Sequence, residues 1–227
     1  MLSERIQKLA VSPNRKFNPY AAAAEARGTK ILSLNIGQPD IDAPDLYFEA
    51  MGKYPKKHLP YANSKGITEM IDAQVDYYEK KDLHFSPDEI FVTVGAMEGI
   101  MFSLLTLCDV GDAVVLAEPF YTNYKLVTDL YGLDIQVVKT SIDNNYQIPS
   151  LEELESIITD KSKAILLANP GNPTGRVYTK DEMDRLVKVA KDHSLVIIAD
   201  EVYREFNYTD RPFVSFASYA DMDQQVI

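Results

Sequence analysis

The chain has a single cysteine, Cys108, in 227 residues, so it can close no disulfide within itself. That cysteine ends the apolar run SLLTLC and reads as a small buried hydrophobe of a reducing compartment. Histidine is nearly as scarce. His58, His84 and His193 are scattered without ligand spacing and no Cys/His cluster joins them, so no metal is expected. The opening MLSERIQKLAVS lacks an apolar stretch followed by a small-residue cleavage site, and no later run approaches bilayer-spanning length; a soluble, cytoplasmic protein without a membrane partner is the expectation. Positive charge is also short: 23 Lys and Arg face 34 Asp and Glu, a formal charge of −11. A phosphate backbone would be repelled over most of such a surface, which argues against nucleic acid as a partner.

Two nucleotide signatures are missing as well. The phosphate loop G-x-x-x-x-G-K-[ST] needs a spacing and a lysine that GNPTGRV does not have, and no early strand is followed by G-x-G-x-x-G. Neither repeats nor low-complexity tracts occur, although AAAAEARG (21–28) is alanine-rich and reads as a helix stopped by Gly28.

What is present begins with a 46% hydrophobic composition, enough to bury one large domain, alone or with a small appendage. The stretch LVIIADEVYREF (195–206) drives an apolar strand into two acids, Asp200 and Glu201. Continuous Val/Ile runs of this kind suit strands covered on both faces, the parallel-sheet pattern. Similar runs recur at AVVLA (113–117), DIQVV (134–138) and AILLA (164–168), with QQVI as a further strand at the terminus. Helical patterns lie between them, near 122–131 and after the capping boxes Ser150/Glu153 and Thr179/Glu182. Upstream, ILSLN (31–35) and IFVTV (90–94) read as strands, IGQPDIDAPD (36–45) as a turn, and 46–51 as a short helix. A helix over 66–82 shows a packed face of Ile67, Met70, Ile71, Val75 and Tyr78, and AMEGIMFSLLTL reads as a buried helix after the capped turn SPDE. Strands alternating with helices predict an α/β fold with a mainly parallel sheet flanked by helices.

In such a sheet the carboxyl ends of the strands share one edge, where ligands bind. The residues there are Gly95-Ala96-Met97 opening a helix, EPFYTNY, NPGNPTG and DEVY. A glycine at a strand-to-helix turn can bare N–H groups to an anion. Glu98, in the first turn of that helix, suits the helix dipole but not a neighbouring phosphate, and is expected to project elsewhere.

The ordered set YANSKG, TVGAMEG, EPFYTNY, NPGNPTG and DEVY resembles the fold-type I pyridoxal-phosphate aminotransferases, the aspartate aminotransferase superfamily of class I/II, over about residues 35–203. The resemblance implies pyridoxal 5'-phosphate as cofactor and transfer of an amino group between an amino acid and a 2-oxo acid. A carbon–sulfur lyase or other eliminating relative shares the same ring-holding residues, and an inactive cofactor-binding or dimerising fragment is the non-enzyme alternative. By the same resemblance Asp200 pairs with the pyridine nitrogen, and Tyr203 and Asn172 donate to the phenolic oxygen. Tyr121 stacks on the ring, and the Ala96 and Met97 N–H groups take the phosphate. Tyr61 reaches the phosphate of a second subunit, which implies a homodimer, while Gly37 and Asn172 face the substrate. A unit charge pair about 4 Å apart at an effective dielectric near 20 is worth roughly 4 kcal/mol, ample to keep the ring nitrogen protonated. Residues 1–40 are then an N-terminal arm with part of a smaller domain, and 41–227 the cofactor-binding large domain. The departure from the family is the Schiff-base lysine, expected beyond DEVY: the last lysine is Lys191. The expectation is a truncated copy, inactive as it stands.

Overall fold

The computed structural model describes residues 2–9, 15–37, 41–54, 58–222 and 224–227. The turn expected at 36–45 therefore lies partly outside the described residues. The chain divides into two compact units, one formed by Met1–Ala10 with Glu69–Ile227 and the other by Val11–Thr68.

The larger unit is built on four parallel strands in the order β2-β1-β3-β4, namely β1 (Ala113–Glu118), β2 (Asp134–Lys139), β3 (Ser162–Ala168) and β4 (Val196–Asp200). Helices α5 (Gly95–Leu107), α6 (Thr122–Tyr131), α7 (Leu151–Glu155) and α8 (Lys180–Asp192) flank it, and α1 (Glu4–Lys8) belongs to the same unit. Successive strand residues alternate between the two faces. On one face Val114, Leu116, Ala164, Leu166 and Ile198 pack with Ile100 and Leu104 of α5 and Tyr124 and Val127 of α6. On the other, Val115, Ile165, Leu167 and Ile197 pack with Met183, Leu186 and Ala190 of α8, Leu154 of α7 and Phe216. Burial on both sides is why the strands read as unbroken apolar runs. The three-layer α/β arrangement agrees with the sequence expectation.

The capping boxes form as read. Glu153 N–H donates to Ser150 Oγ at 3.3 Å and Ser150 N–H to Glu153 Oε2 at 3.0 Å, with the equivalent pair at Thr179 and Glu182. The terminal QQVI adds one parallel bridge, Ile197 to Val226, with Ile197 N–H donating to Gln225 O at 2.7 Å.

Four local expectations need correction. Residues 90–93 belong to no strand of the described sheet, and of the run only Ile90 is buried. Helix α4 (Thr68–Glu79) forms, but none of its residues is fully buried; Ile67 and Met70 are exposed, and Ile71, Val75 and Tyr78 are half-buried. Helix α5 buries one face only, at Ile100, Ser103 and Leu104, and leaves Phe102 and Leu105 exposed. In the 11–68 unit, residues 31–34 form no strand, and Leu32 and Leu34 face solvent. An apolar run becomes a strand only when a partner strand accepts its backbone groups, and neither run is part of the described sheet.

The smaller unit holds α2 (Asn18–Glu25) and α3 (Asp45–Gly52). Gly28, at φ +85°, stands just past α2 in the left-handed conformation expected of it. No described residue from 15 to 68 is fully buried.

Candidate active site

The strand order places a topological switch point between β1 and β3, because the chain leaves β1 toward β2 and returns to β3 on the other side. Open α/β sheets bind ligands in the crevice outside the carboxyl ends at such a point. A cavity lies there, lined by Ala117 of β1 and Pro119 just past it, Leu166 and Ala168 of β3, and Gly171 and Asn172 of the following loop.

Asp200 ends β4 and is half-buried. Its Oδ2 accepts from the Tyr124 hydroxyl at 2.7 Å and its Oδ1 from Val202 N–H at 3.3 Å. Tyr124 is fully buried on α6, and burial together with the Asp200 charge pushes its phenol far above the ordinary range. The hydroxyl therefore stays protonated and acts as a fixed donor. Asn172 Nδ2 donates to the Tyr203 hydroxyl at 3.4 Å, so these two groups from separate loops meet near the end of the sheet. Tyr121 caps α6, accepts from Asn123 Nδ2 at 2.8 Å and stands edge-on to Tyr124, with ring centroids 5.5 Å apart.

The Asn172 loop is held from beneath by Asn169, which is 1% exposed. Its backbone N–H donates to Asp200 O at 3.0 Å, its Oδ1 accepts from Tyr178 N–H at 3.1 Å, and its Nδ2 donates to Val214 O at 3.5 Å. One buried residue thus ties the loop of Asn172 to the strand end of Asp200 through its backbone, and to Tyr178 and Val214 through its side chain. Glu182 supports the far side of the loop. Besides its capping bonds, it accepts from Ile148 N–H at 2.9 Å and from the Arg176 guanidinium at 2.7 Å. Burial raises its carboxyl, but the bonds from Thr179, Ile148 and Arg176 outweigh that and hold it below the ordinary value. Gly171 leaves no room for a side chain, since an added Cβ would lie 2.6 Å from Thr174 Oγ1.

Ala96 and Met97 form the first turn of α5 after Gly95, which has φ +74°. Glu98 does not project away as expected. Its carboxylate folds back over the helix start and accepts from Val94 N–H at 2.6 Å, because the unpaired first-turn N–H groups attract the nearest anion. Tyr61 and Gly37 lie in the 11–68 unit, both exposed.

Tyr124, Asn169 and Glu201 stand inside the motifs EPFYTNY, NPGNPTG and DEVY, but those motifs assign them no role. The side chains of Asn169 and Glu201 find partners 45 and 14 positions further along the chain, at Val214 and Ser215, and nothing beside them in the sequence announces those contacts. Tyr124 carried a faint signal, being one helical turn from Tyr121 on the apolar face of α6.

A mainly parallel sheet with an acid, an amide and a phenol gathered at its carboxyl edge defines a class of cofactor-dependent α/β enzyme scaffold. The chain belongs to the aminotransferase class I and II family, whose model matches residues 29–226. It is 34% identical over 228 residues to an aspartate aminotransferase of Thermotoga maritima, covering 99% of this chain and 59% of that protein. It is 31% identical to a probable aspartate/prephenate aminotransferase of Aquifex aeolicus, covering 97% of this chain and 56% of that one. Among solved structures, the Thermotoga maritima aspartate aminotransferase superposes with a TM-score of 0.87 at 33% identity, over 95% of this chain and 58% of that one. A double mutant of the Thermus thermophilus enzyme gives 0.89 at 26% identity, over all of this chain and 59% of that one. The chain therefore spans less than two thirds of the length of the relatives it matches. The cofactor of this family is pyridoxal phosphate.

Proposed function

We propose that this chain supplies the cofactor-holding part of an aminotransferase that moves an amino group between an amino acid and a 2-oxo acid. The observation that carries the reading is the Asp200 carboxylate, anchored by Tyr124 at 2.7 Å next to the Asn172–Tyr203 pair at the carboxyl edge of the sheet. That donor set fits pyridoxal phosphate at its ring end: an anion for the pyridine nitrogen and two donors for the phenolic oxygen. The fit at the phosphate end is looser, because the Glu98 carboxylate occupies the helix start beside Ala96 and Met97 and must turn aside for an anion to approach.

When bound, the cofactor supplies an electron sink for the substrate's α-carbon. The protein's part is electrostatic and geometric. Asp200 would pair with the ring nitrogen and keep it protonated, its carboxylate oriented by Tyr124 and Val202 N–H. Tyr203 and Asn172 would donate to the phenolic oxygen, and Tyr121 would cover one ring face. Ala96 and Met97 offer backbone N–H groups to the phosphate. Gly37 and Asn172 contact the substrate, and Tyr61 reaches the phosphate of a second subunit, so the working assembly is a homodimer. In this reading residues 1–40 form an arm with part of a smaller domain and 41–227 form the cofactor-binding large domain. The reading also takes the protein to be cytoplasmic; no described helix is long and apolar enough to cross a membrane. These 227 residues carry no lysine after Lys191, so by themselves they would hold the cofactor without a covalent bond and would be inactive.

Assays of the intact protein with amino donors, with and without 2-oxo acid acceptors, test the reading. Product that depends on the acceptor is expected. Pyruvate or ammonia released without any acceptor would replace transfer with elimination, the chemistry of a carbon–sulfur lyase.

A further inference from the structure

We propose that Glu201 is a positioning residue for the cofactor site, holding the turn that carries Asp200 and Tyr203 in place through Ser215, Phe216 and Arg204. The proposal rests on the cofactor reading above.

Glu201 follows Asp200 directly, yet its carboxylate turns away from the crevice and is largely buried, with a side chain 15% exposed. A carboxylate there is costly unless its oxygens are satisfied. Oε1 accepts from the Ser215 hydroxyl at 2.8 Å and from Phe216 N–H at 3.3 Å, and Oε2 lies 3.7 Å from Arg204 Nη1. Arg204 is itself enclosed. Its guanidinium lies over the rings of Tyr77, Tyr78 and Phe213 at 5.8, 5.7 and 5.1 Å, which favour a cation and exclude water. Arg204 Nη1 is buried and makes no hydrogen bond among the described residues; the Glu201 carboxylate is its ion-pair partner, and the exposed Glu205 carboxylate adds a weaker attraction.

The arrangement brackets Tyr203. Residues 201 and 204 are both anchored beneath the turn, Arg204 N–H donates to Glu201 O at 3.0 Å, and Tyr203 lies between them with its hydroxyl reaching Asn172. The same backbone stretch also receives Asn169, whose Nδ2 donates to Val214 O. Val214–Phe216 is therefore a common footing for both loops that meet at the site, one through Asn169 and the other through Glu201. A buried anion with two directed hydrogen bonds and a cation 3.7 Å away sets this register more sharply than an apolar side chain, because a shift of the turn would leave a charge unpaired.

The test uses the intact protein and three variants, Glu201→Ala, Glu201→Gln and Ser215→Ala, with Asp210→Asn as a control at an exposed acid of the loop that follows. Affinity for pyridoxal phosphate is measured by fluorescence titration, the pH midpoint of the bound cofactor's absorbance by spectrophotometry, and folding by thermal melting. In folded Glu201→Ala, affinity should weaken about tenfold or more, the scale of losing one hydrogen bond to a charged group, and the midpoint should move. Glu201→Gln, which still accepts from Ser215 and Phe216 but leaves Arg204 without its paired anion, should recover part of both. Asp210→Asn should match the unaltered protein. Unchanged affinity and midpoint in folded Glu201→Ala would overturn the proposal. If that variant does not fold, Ser215→Ala decides: a smaller shift in the same direction upholds the proposal and no shift removes it. Failure of the unaltered protein to bind the cofactor would instead remove the reading on which the proposal stands.

Discussion

The adjacent carboxylates of Asp200 and Glu201 diverge to the two faces of the sheet. Asp200 accepts from Tyr124, which belongs to the core beneath α5 and α6. Glu201 accepts from Ser215 and Phe216, and Phe216 belongs to the core beneath α8. The alternation of a strand carries one residue past its end, so a single Asp-Glu pair sends one acid to each face of the sheet.

Replacing Asp200 with Ala in the intact protein should reduce amino-group transfer by about a thousandfold, since an electrostatic contribution of roughly 4 kcal/mol corresponds to about three decades in rate. The fold should survive, because Asp200 is only half-buried and its removal leaves no charge stranded in the core. Single-turnover kinetics with circular dichroism as a control checks both statements. An unaltered rate would take away the ring-nitrogen role.

Tyr124→Phe removes one donor and little else. The expected cost is about 1.5–3 kcal/mol of stability, the range for a hydrogen bond to a charged group, read from urea unfolding of the intact protein. The ring still fills its place against Val127 and Leu116, so the unfolding slope should not change.

How far the sequence reaches is visible in these residues. The four strands were legible because burial on both faces leaves an unbroken apolar run, and the capping boxes were legible because their partners are three residues apart. Asp200, Asn172 and Tyr203 were legible through their motifs, and the structure brings Asn172 to Tyr203 across 31 positions. Tyr124 acts on Asp200 across 76 positions, and Asn169 reaches Val214 across 45, so neither contact leaves a local trace. Runs 31–35 and 90–94 failed for the complementary reason: their composition is strand-like, but pairing is decided elsewhere in the chain. Glu98 went astray because its helix start offered a closer partner than solvent.

Glu182→Ala should destabilise the intact protein by about 3–5 kcal/mol, because Arg176 would keep a buried charge without its counter-ion. Denaturant unfolding gives the loss. Loosening should also spread to the Asn172 loop, where Gly171 N–H donates to Arg176 O at 2.7 Å, and hydrogen exchange there should quicken.

The two buried acids predict opposite pH dependences. Burial lifts the Glu201 carboxyl above its ordinary value of 4.5, against the opposing pull of Ser215, Arg204 and Phe216. The folded protein then keeps a proton that the unfolded chain has released. The associated stability is fully present below pH 4.5 and is lost as pH rises through the folded value. Glu182 is depressed below 4.5, so its contribution is present above that value and is lost as pH falls through the folded one. Unfolding free energies measured in small pH steps should therefore separate the variants. Glu201→Gln should flatten the decline in stability just above pH 4.5, and Glu182→Gln should flatten the decline below it. A Glu201→Gln profile parallel to that of the unaltered protein above pH 4.5 would mean that the buried acid does not carry its proton there, and the raised value would have to be abandoned.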